Sequence, residues 1–173
     1  MKNIAQSFNI SPEGSRAGVI TFSARAEHSI KMKDHTNITS FEAAVDAIPL
    51  MGLTTRIDKA LRLAQQELFS PENGGRPELH QILILLTDGT QTKSSKAEHP
   101  GDIAKEIRKA GIIVIVIGIG DGTTPEELDH MAGGPGKAYI KKSFDDLVAG
   151  DFVKNLTDLS CKAGKFNFFI RGY

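Results

Sequence analysis

The sequence predicts an α/β fold: an open, mostly parallel, doubly wound (Rossmann-like) sheet with helices on both faces. Two observations carry this expectation. The runs Ile82-Leu83-Ile84-Leu85-Leu86 and Ile112 to Ile119 are apolar at every position, as strands covered on both faces are. Stretches of helical periodicity lie before, between and after them, and strands alternating with helices imply right-handed crossovers.

The remaining elements fall into place along the chain. Residues 17–22 (AGVITF) and 26–32 (AEHSIKM) read as a hairpin, the second as an edge strand. Thr39-x-x-Glu42 reads as a capping box. It opens a helix with Phe41, Ala44, Val45 and Ile48 at helical spacing, stopped by Pro49. A second helix is expected from about Thr55 to Phe69, with Ile57, Ala60, Leu61, Ala64 and Leu68 on its apolar face. Helix 101–110 should close on Gly111, a C′ glycine. Thr124-Pro125-Glu126-Glu127 combines an N-cap, a proline at N1 and a glutamate at N3. Ala138-Tyr139-Ile140 reads as a last short strand, and Ser143 and Asp151 as the starts of two closing helices, the second burying Phe152, Val153, Leu156 and Leu159.

The totals fit one globular domain with a core: 173 residues, 40% hydrophobic and 24% charged. Lys+Arg and Asp+Glu are equal at 21 each, which argues against nucleic acid or an anionic membrane as partner. No apolar run approaches the roughly 20 residues of a membrane span, and residues 1–9 lack the apolar stretch of a signal peptide. Three Asn-x-Ser/Thr sequons, at Asn9, Asn37 and Asn155, hold half of the six asparagines and mark glycosylation candidates, with Pro12 directly after the first lowering its use. The lone Cys161 leaves the redox compartment open.

In open parallel sheets ligands bind beyond the carboxyl ends of the strands. Two loops belong there, Thr87 to Thr92 and Gly118 to Thr124. Asp88 ends a buried strand and precedes Gly89, so it is either a binding carboxylate or the cap of its own turn. Thr54 and Thr55 come next. Thr55 is an N-cap or, beside a carboxylate, a ligand for a hard cation such as Mg²⁺. Gly118-x-Gly120-x-Gly122 has the wrong spacing for a dinucleotide loop and reads as a tight turn, with Asp121 near the site or stabilising that turn. The histidines (His28, His35, His80, His99, His130) show no ligand-like spacing, and no nucleophile elbow or partner set for Cys161 appears. Lys93 to His99 reads as a solvated loop or a rim of the site.

Together ILILLTDGTQT, GLTTRIDKALRLAQQELF, SRAGVITFS and AGIIVIVIGIG resemble the von Willebrand factor type A domain of extracellular matrix and adhesion proteins, in the manner of collagen VI and matrilins. The resemblance implies a six-stranded sheet ordered 3-2-1-4-5-6. It also implies a metal-ion-dependent adhesion site made of Asp-x-Ser-x-Ser after the first strand, a middle-loop threonine and an aspartate after the fourth strand. On this sequence the last two fall on Thr55 and Asp88. The metal of such a site is usually Mg²⁺, with Mn²⁺ or Ca²⁺ as substitutes, and an acidic side chain of the partner completes its shell.

The first strand and its Asp-x-Ser-x-Ser are missing, so the site is partial. Asp88-Gly89-Thr90-Gln91-Thr92 mimics the spacing but already occupies the fourth-strand position. Without a central strand, the second and fourth strands lose their common neighbour. Two readings follow, a divergent form that borrows a strand or leaves a gap and, as the expectation, a fragment of a longer protein: a type A domain over 1–160, N-terminally truncated, then a tail or the start of a following segment over 161–173. In matrix-type members a cysteine like Cys161 often pairs with one before the first strand. The implied function is a non-enzymatic protein-binding adhesion module of a secreted, extracellular protein, its ligand a matrix protein such as collagen. The alternatives are an intracellular type A module of a chaperone or repair assembly, or an enzyme using Asp88 on a nucleotide- or phosphate-binding fold.

Overall fold

A computed structural model describes residues 5–49, 52, 54–143, 146 and the backbone of 166–172. Six strands form one sheet: β1 (Arg16–Phe22), β2 (Ala26–Ile30), β3 (His80–Thr87), β4 (Ile113–Ile119), β5 (Tyr139–Lys141) and β6 (Phe166–Gly172). Their order is β2-β1-β6-β3-β4-β5. Only the hairpin pair β1–β2 is antiparallel; every other neighbour is parallel. The doubly wound α/β class expected from the sequence is therefore the observed one.

The sheet differs from expectation at its centre. The place of the missing first strand is filled by β6, which pairs in parallel with β1 on one side and β3 on the other, as in the alternative of a borrowed strand. The order 3-2-1-4-5-6 is thus reproduced with the last strand of this chain in the first strand's position. The segment 161–173, expected to lie outside the domain, contributes this strand. Both of its ladders shift register, between Ala17 and Ile20 on β1 and between Gln81 and Leu85 on β3, whereas β3 and β4 pair without interruption from Ile82–Ile113 to Thr87–Gly118.

The uniformly apolar strands build two cores, because successive side chains of a strand point to opposite faces. Ile82, Ile84 and Leu86 of β3 join Ile115 and Ile117 of β4 on one face, under Phe41 and Val45 of helix α1 (Ile38–Asp46). Leu83 and Leu85 join Val114 and Val116 on the other, under three helices: α2 (Ile57–Leu63), α3 (Pro100–Lys109) and α4 (Pro125–Ala132). Helix α2 continues as a π-helical turn, Ala64–Leu68, that keeps Ala64 and Leu68 buried.

Three helix starts depart from their sequence signals. Helix α1 is capped by Asn37, whose Oδ1 accepts from the Ser40 N–H at 2.9 Å, so the Thr39–Glu42 capping box does not form. Helix α2 begins after Arg56 with no side-chain cap, which frees Thr55 from capping. At α4, Thr124 stands at the N-cap without a side-chain bond, and the N3 glutamate Glu127 reaches elsewhere. Helix α3 ends as expected, with Gly111 at φ +87°. Of the closing helices, Phe152, Val153, Leu156 and Leu159 lie outside the described residues, as do Asn155 and Cys161.

Candidate functional site at the carboxyl edge

Strand β3 delivers Thr87, Asp88 and Gly89 to the carboxyl edge of the sheet. The turn there is closed by the buried Thr87, whose hydroxyl donates to the Gly89 carbonyl at 2.7 Å and accepts from the Gly89 N–H at 3.3 Å. Asp88 therefore does not cap its own turn. It is exposed, and no hydrogen bond holds its carboxylate among the described residues.

Thr55 faces this turn. A Cβ placed on Gly89 would lie 3.2 Å from Thr55 Oγ1, so the threonine hydroxyl sits against the residue next to Asp88. The Thr55 backbone is fixed by a two-way link to Thr92: its N–H donates to Thr92 Oγ1 at 2.9 Å, and its carbonyl accepts from the Thr92 N–H at 2.8 Å. The structure thus brings Thr55 and Asp88 to one place, while Thr54 makes no such link to the turn.

The loop after β4 closes the other side. A Cβ on Gly122 would stand 2.1 Å from the Asp88 carbonyl oxygen, so only glycine permits this approach. The glycines of Gly118-x-Gly120-x-Gly122 therefore serve loop packing. Asp121 is exposed on the same loop.

Beneath the edge lies a polar network with no sequence signature. Asp58 of α2 is only 3% exposed. It takes a fork from Arg56, Nε to Oδ1 at 2.8 Å and Nη2 to Oδ2 at 2.6 Å, and a third bond from Gln91 Nε2 at 2.8 Å. The Gln91 N–H donates to Glu127 of α4 at 2.8 Å. Burial alone would push the Asp58 carboxyl up. The bonds from Arg56 and Gln91, with the Arg56 charge, outweigh it and hold the group below its ordinary range. Arg56, Asp58, Gln91, Thr92 and Glu127 were invisible as a set because their contacts cross up to 40 positions. The one available hint was a polar Arg56-x-Asp58 pair where the apolar face of a helix begins.

A second cluster comes together only in the fold. His99, Asp102 and His130 each offer a ligand atom, all within 4.8 Å of one another, although the histidines have no ligand-like spacing along the chain. The separation of 31 positions between His99 and His130 hides what the packing of α3 on α4 brings together.

The donor set at the edge does not fit a complete hard-cation site. Mg²⁺ asks for near-octahedral oxygen coordination, commonly with one or two carboxylates. Thr55 and Asp88 supply one hydroxyl and one carboxylate. The strand standing in the first strand's place ends in Ile170-Arg171-Gly172, with Arg171 in register with Thr21 and Leu86, and carries no acidic residue there.

A doubly wound, mostly parallel sheet with helices on both faces places the chain among Rossmann-like α/β domains. The sequence matches the von Willebrand factor type A domain over residues 1–157, and the chain belongs to that family. It is 29% identical to human collagen alpha-6(VI) over 151 residues, covering 85% of this chain and 6% of that protein. It is 25% identical to mouse matrilin-4, covering 93% of this chain and 25% of that one. The chain thus spans a small part of the curated relatives it matches. Among solved structures, proximal thread matrix protein 1 from the mussel byssus with a zinc-occupied MIDAS motif superposes with a TM-score of 0.80 at 29% identity, over 93% of this chain and 39% of that one. Manganese-loaded Plasmodium vivax TRAP protein shares the fold, with a TM-score of 0.66 at 19% identity over 88% of this chain and 63% of that one. No helix among the described residues is long and apolar enough to cross a membrane.

Proposed function

We propose that this chain is a protein-binding adhesion module of an extracellular matrix or cell-surface protein, not an enzyme, and that its contact edge is the carboxyl end of the sheet around Asp88 and Thr55. The observation that carries the reading is the exposed, uncommitted Asp88 carboxylate beside the Thr55 hydroxyl, on loops tied down by Thr92, Gln91 and Gly122. A carboxylate spared from structural duty on a rigid edge is placed to meet a partner. The matrix relatives favour a protein ligand in the extracellular space, with collagen the first to try.

The metal arm of the reading is that this chain binds Mg²⁺ or Mn²⁺ at Thr55 and Asp88 weakly or not at all, since a partial donor set leaves most of the shell to water. The module extends beyond residue 160, because β6 (Phe166–Gly172) is the central strand of its sheet. The exposed Asn37 and Asn9 are open to glycosylation. At Asn37 the glycan would attach to Nδ2 and leave the capping Oδ1 in place.

The test is solid-phase binding of the purified chain to collagens and other matrix proteins, with Asp88→Ala alongside. Saturable binding lost in the variant is expected. Equal binding by the variant would move the contact surface elsewhere, and no binding to any matrix protein would remove the adhesive reading.

A further inference from the structure

The His99–Asp102–His130 cluster lies where α3 packs on α4 and shares no residue with the Thr55–Asp88 pair. His99 is the N-cap of α3 and Asp102 lies in its first turn, while His130 comes from the last turn of α4. All three are exposed. The two imidazole rings lie 4.8 Å apart between centroids, tilted by 49°.

Their closeness is built into the helix packing. A Cβ on Gly101 would stand 2.5 Å from His130 Cγ and Nδ1, so the His130 ring lies directly on the α3 backbone between His99 and Asp102. Any other residue at 101 would push it away. Both rings line a groove of about 490 Å³ that also carries Glu126, Lys93 and, from the network beneath the edge, Gln91 and Glu127.

Two imidazoles and one carboxylate form a borderline donor set, suited to Zn²⁺ rather than Mg²⁺. Zinc bonds of 2.0–2.1 Å place tetrahedral donors about 3.3 Å apart, so ligand atoms spread over 4.8 Å must draw together by about 1.5 Å. Exposed side chains can make that movement by rotating. Such an ion sits near the positive end of the α3 dipole, a cost that Asp102 and the groove's acidic side chains offset. His99 Nδ1 presently accepts from the Gly101 N–H at 3.2 Å. Coordination therefore takes either that nitrogen, or Nε2 with the ring proton moved to Nδ1, and sacrifices a long bond in both cases.

We propose that His99, Asp102 and His130 form a Zn²⁺-class transition-metal site that links α3 to α4, with its remaining coordination position open to the groove. The site uses neither Thr55 nor Asp88 as a ligand.

The experiment is calorimetric titration of the tag-free full chain with Zn²⁺, repeated with His99→Asn, Asp102→Asn, His130→Gln and Asp88→Ala. Asparagine keeps a capping acceptor at position 99, and circular dichroism checks that each variant is folded. One zinc per chain is expected, weakened at least roughly tenfold by either histidine change, unaffected by Asp88→Ala and undisturbed by excess Mg²⁺. Co²⁺ should give the visible absorption of a tetrahedral nitrogen–oxygen site in the wild type and lose it in His130→Gln. Wild-type zinc affinity in both folded histidine variants, or loss of binding in Asp88→Ala, would overturn the proposal.

Discussion

Asp58 and Gln91 hold each other by a reciprocal pair of hydrogen bonds: Gln91 Nε2 donates to Asp58 Oδ1 at 2.8 Å, and the Asp58 N–H returns a bond to Gln91 Oε1 at 3.1 Å. The pair fastens the start of α2 to the loop that presents Asp88. Asp58→Ala leaves the Arg56 guanidinium, itself largely buried, without its counter-ion. Removing one partner of a buried ion pair costs about 3–5 kcal/mol, and the remaining exposure of Arg56 places this case near the lower figure. Gln91→Ala removes neutral bonds and should cost about 1–2 kcal/mol. Urea unfolding of both variants and their double mutant measures this, with a sum larger than the double-mutant loss because the residues share partners.

The same carboxylate gives the domain an acid-sensitive component. The folded pKa of Asp58 lies below its ordinary value, so the folded state binds its proton less readily than the unfolded chain. The stabilisation is therefore fully present above the unfolded value of about 3.9 and is lost as pH falls through the lower folded value. Asp58→Asn should show a stability deficit relative to the wild type that is constant from pH 7 to about 5 and narrows below about 4. A deficit that does not change with pH would mean that the carboxylate's charge contributes nothing.

At Gly122 the approach to the Asp88 carbonyl leaves no room for a methyl group. Gly122→Ala should displace the loop after β4 and cost about 1–3 kcal/mol, as overpacking does. It should also weaken binding at the edge without removing Asp88. Asp88→Ala is the contrasting change. An exposed side chain without structural bonds should alter stability by less than about 0.5 kcal/mol while abolishing partner binding. Thermal unfolding and the binding assay on the two variants separate the roles.

Those contrasts mirror what was legible in the sequence. Strands β3 and β4 could be read because continuous apolar runs have few other uses, and Asp88 because it follows one of them. The start of α1 could not be fixed, since Asn37 and Thr39 are both good caps and only tertiary packing chose between them. Gln91 looked like an ordinary loop residue, because its partners Asp58 and Glu127 lie more than 30 positions away in opposite directions. His99 and His130 were scattered in sequence for the same reason. Strand β6 was the largest omission. Its Phe-Asn-Phe-Phe-Ile run favours extended structure, but nothing local ties it to β1 and β3: Phe22 pairs with Gly172 across 150 positions (172 − 22), and Leu85 with Ile170 across 85 (170 − 85). Contacts that distant leave no local pattern to read.

The position of β6 yields the last prediction. A central parallel strand satisfies backbone donors and acceptors on both of its neighbours, and here those neighbours are β1 and β3. A chain ending at Lys165 would leave facing edges of both strands unpaired at the middle of the sheet, between two apolar cores. Each unsatisfied buried group costs about 1–3 kcal/mol, so a few of them consume the 5–15 kcal/mol that a domain of this size has to lose. The shortened chain should therefore lack a cooperative unfolding transition. Amides of Ala17–Phe22 and Leu83–Leu86 should lose their protection from hydrogen exchange, while the β3–β4 ladder retains more of its own. A synthetic peptide of residues 166–173, added in excess, should restore protection to β1 and β3 together, because one strand serves both. If the shortened chain unfolds cooperatively at the midpoint of the full chain, β6 does not hold the centre of the sheet in solution.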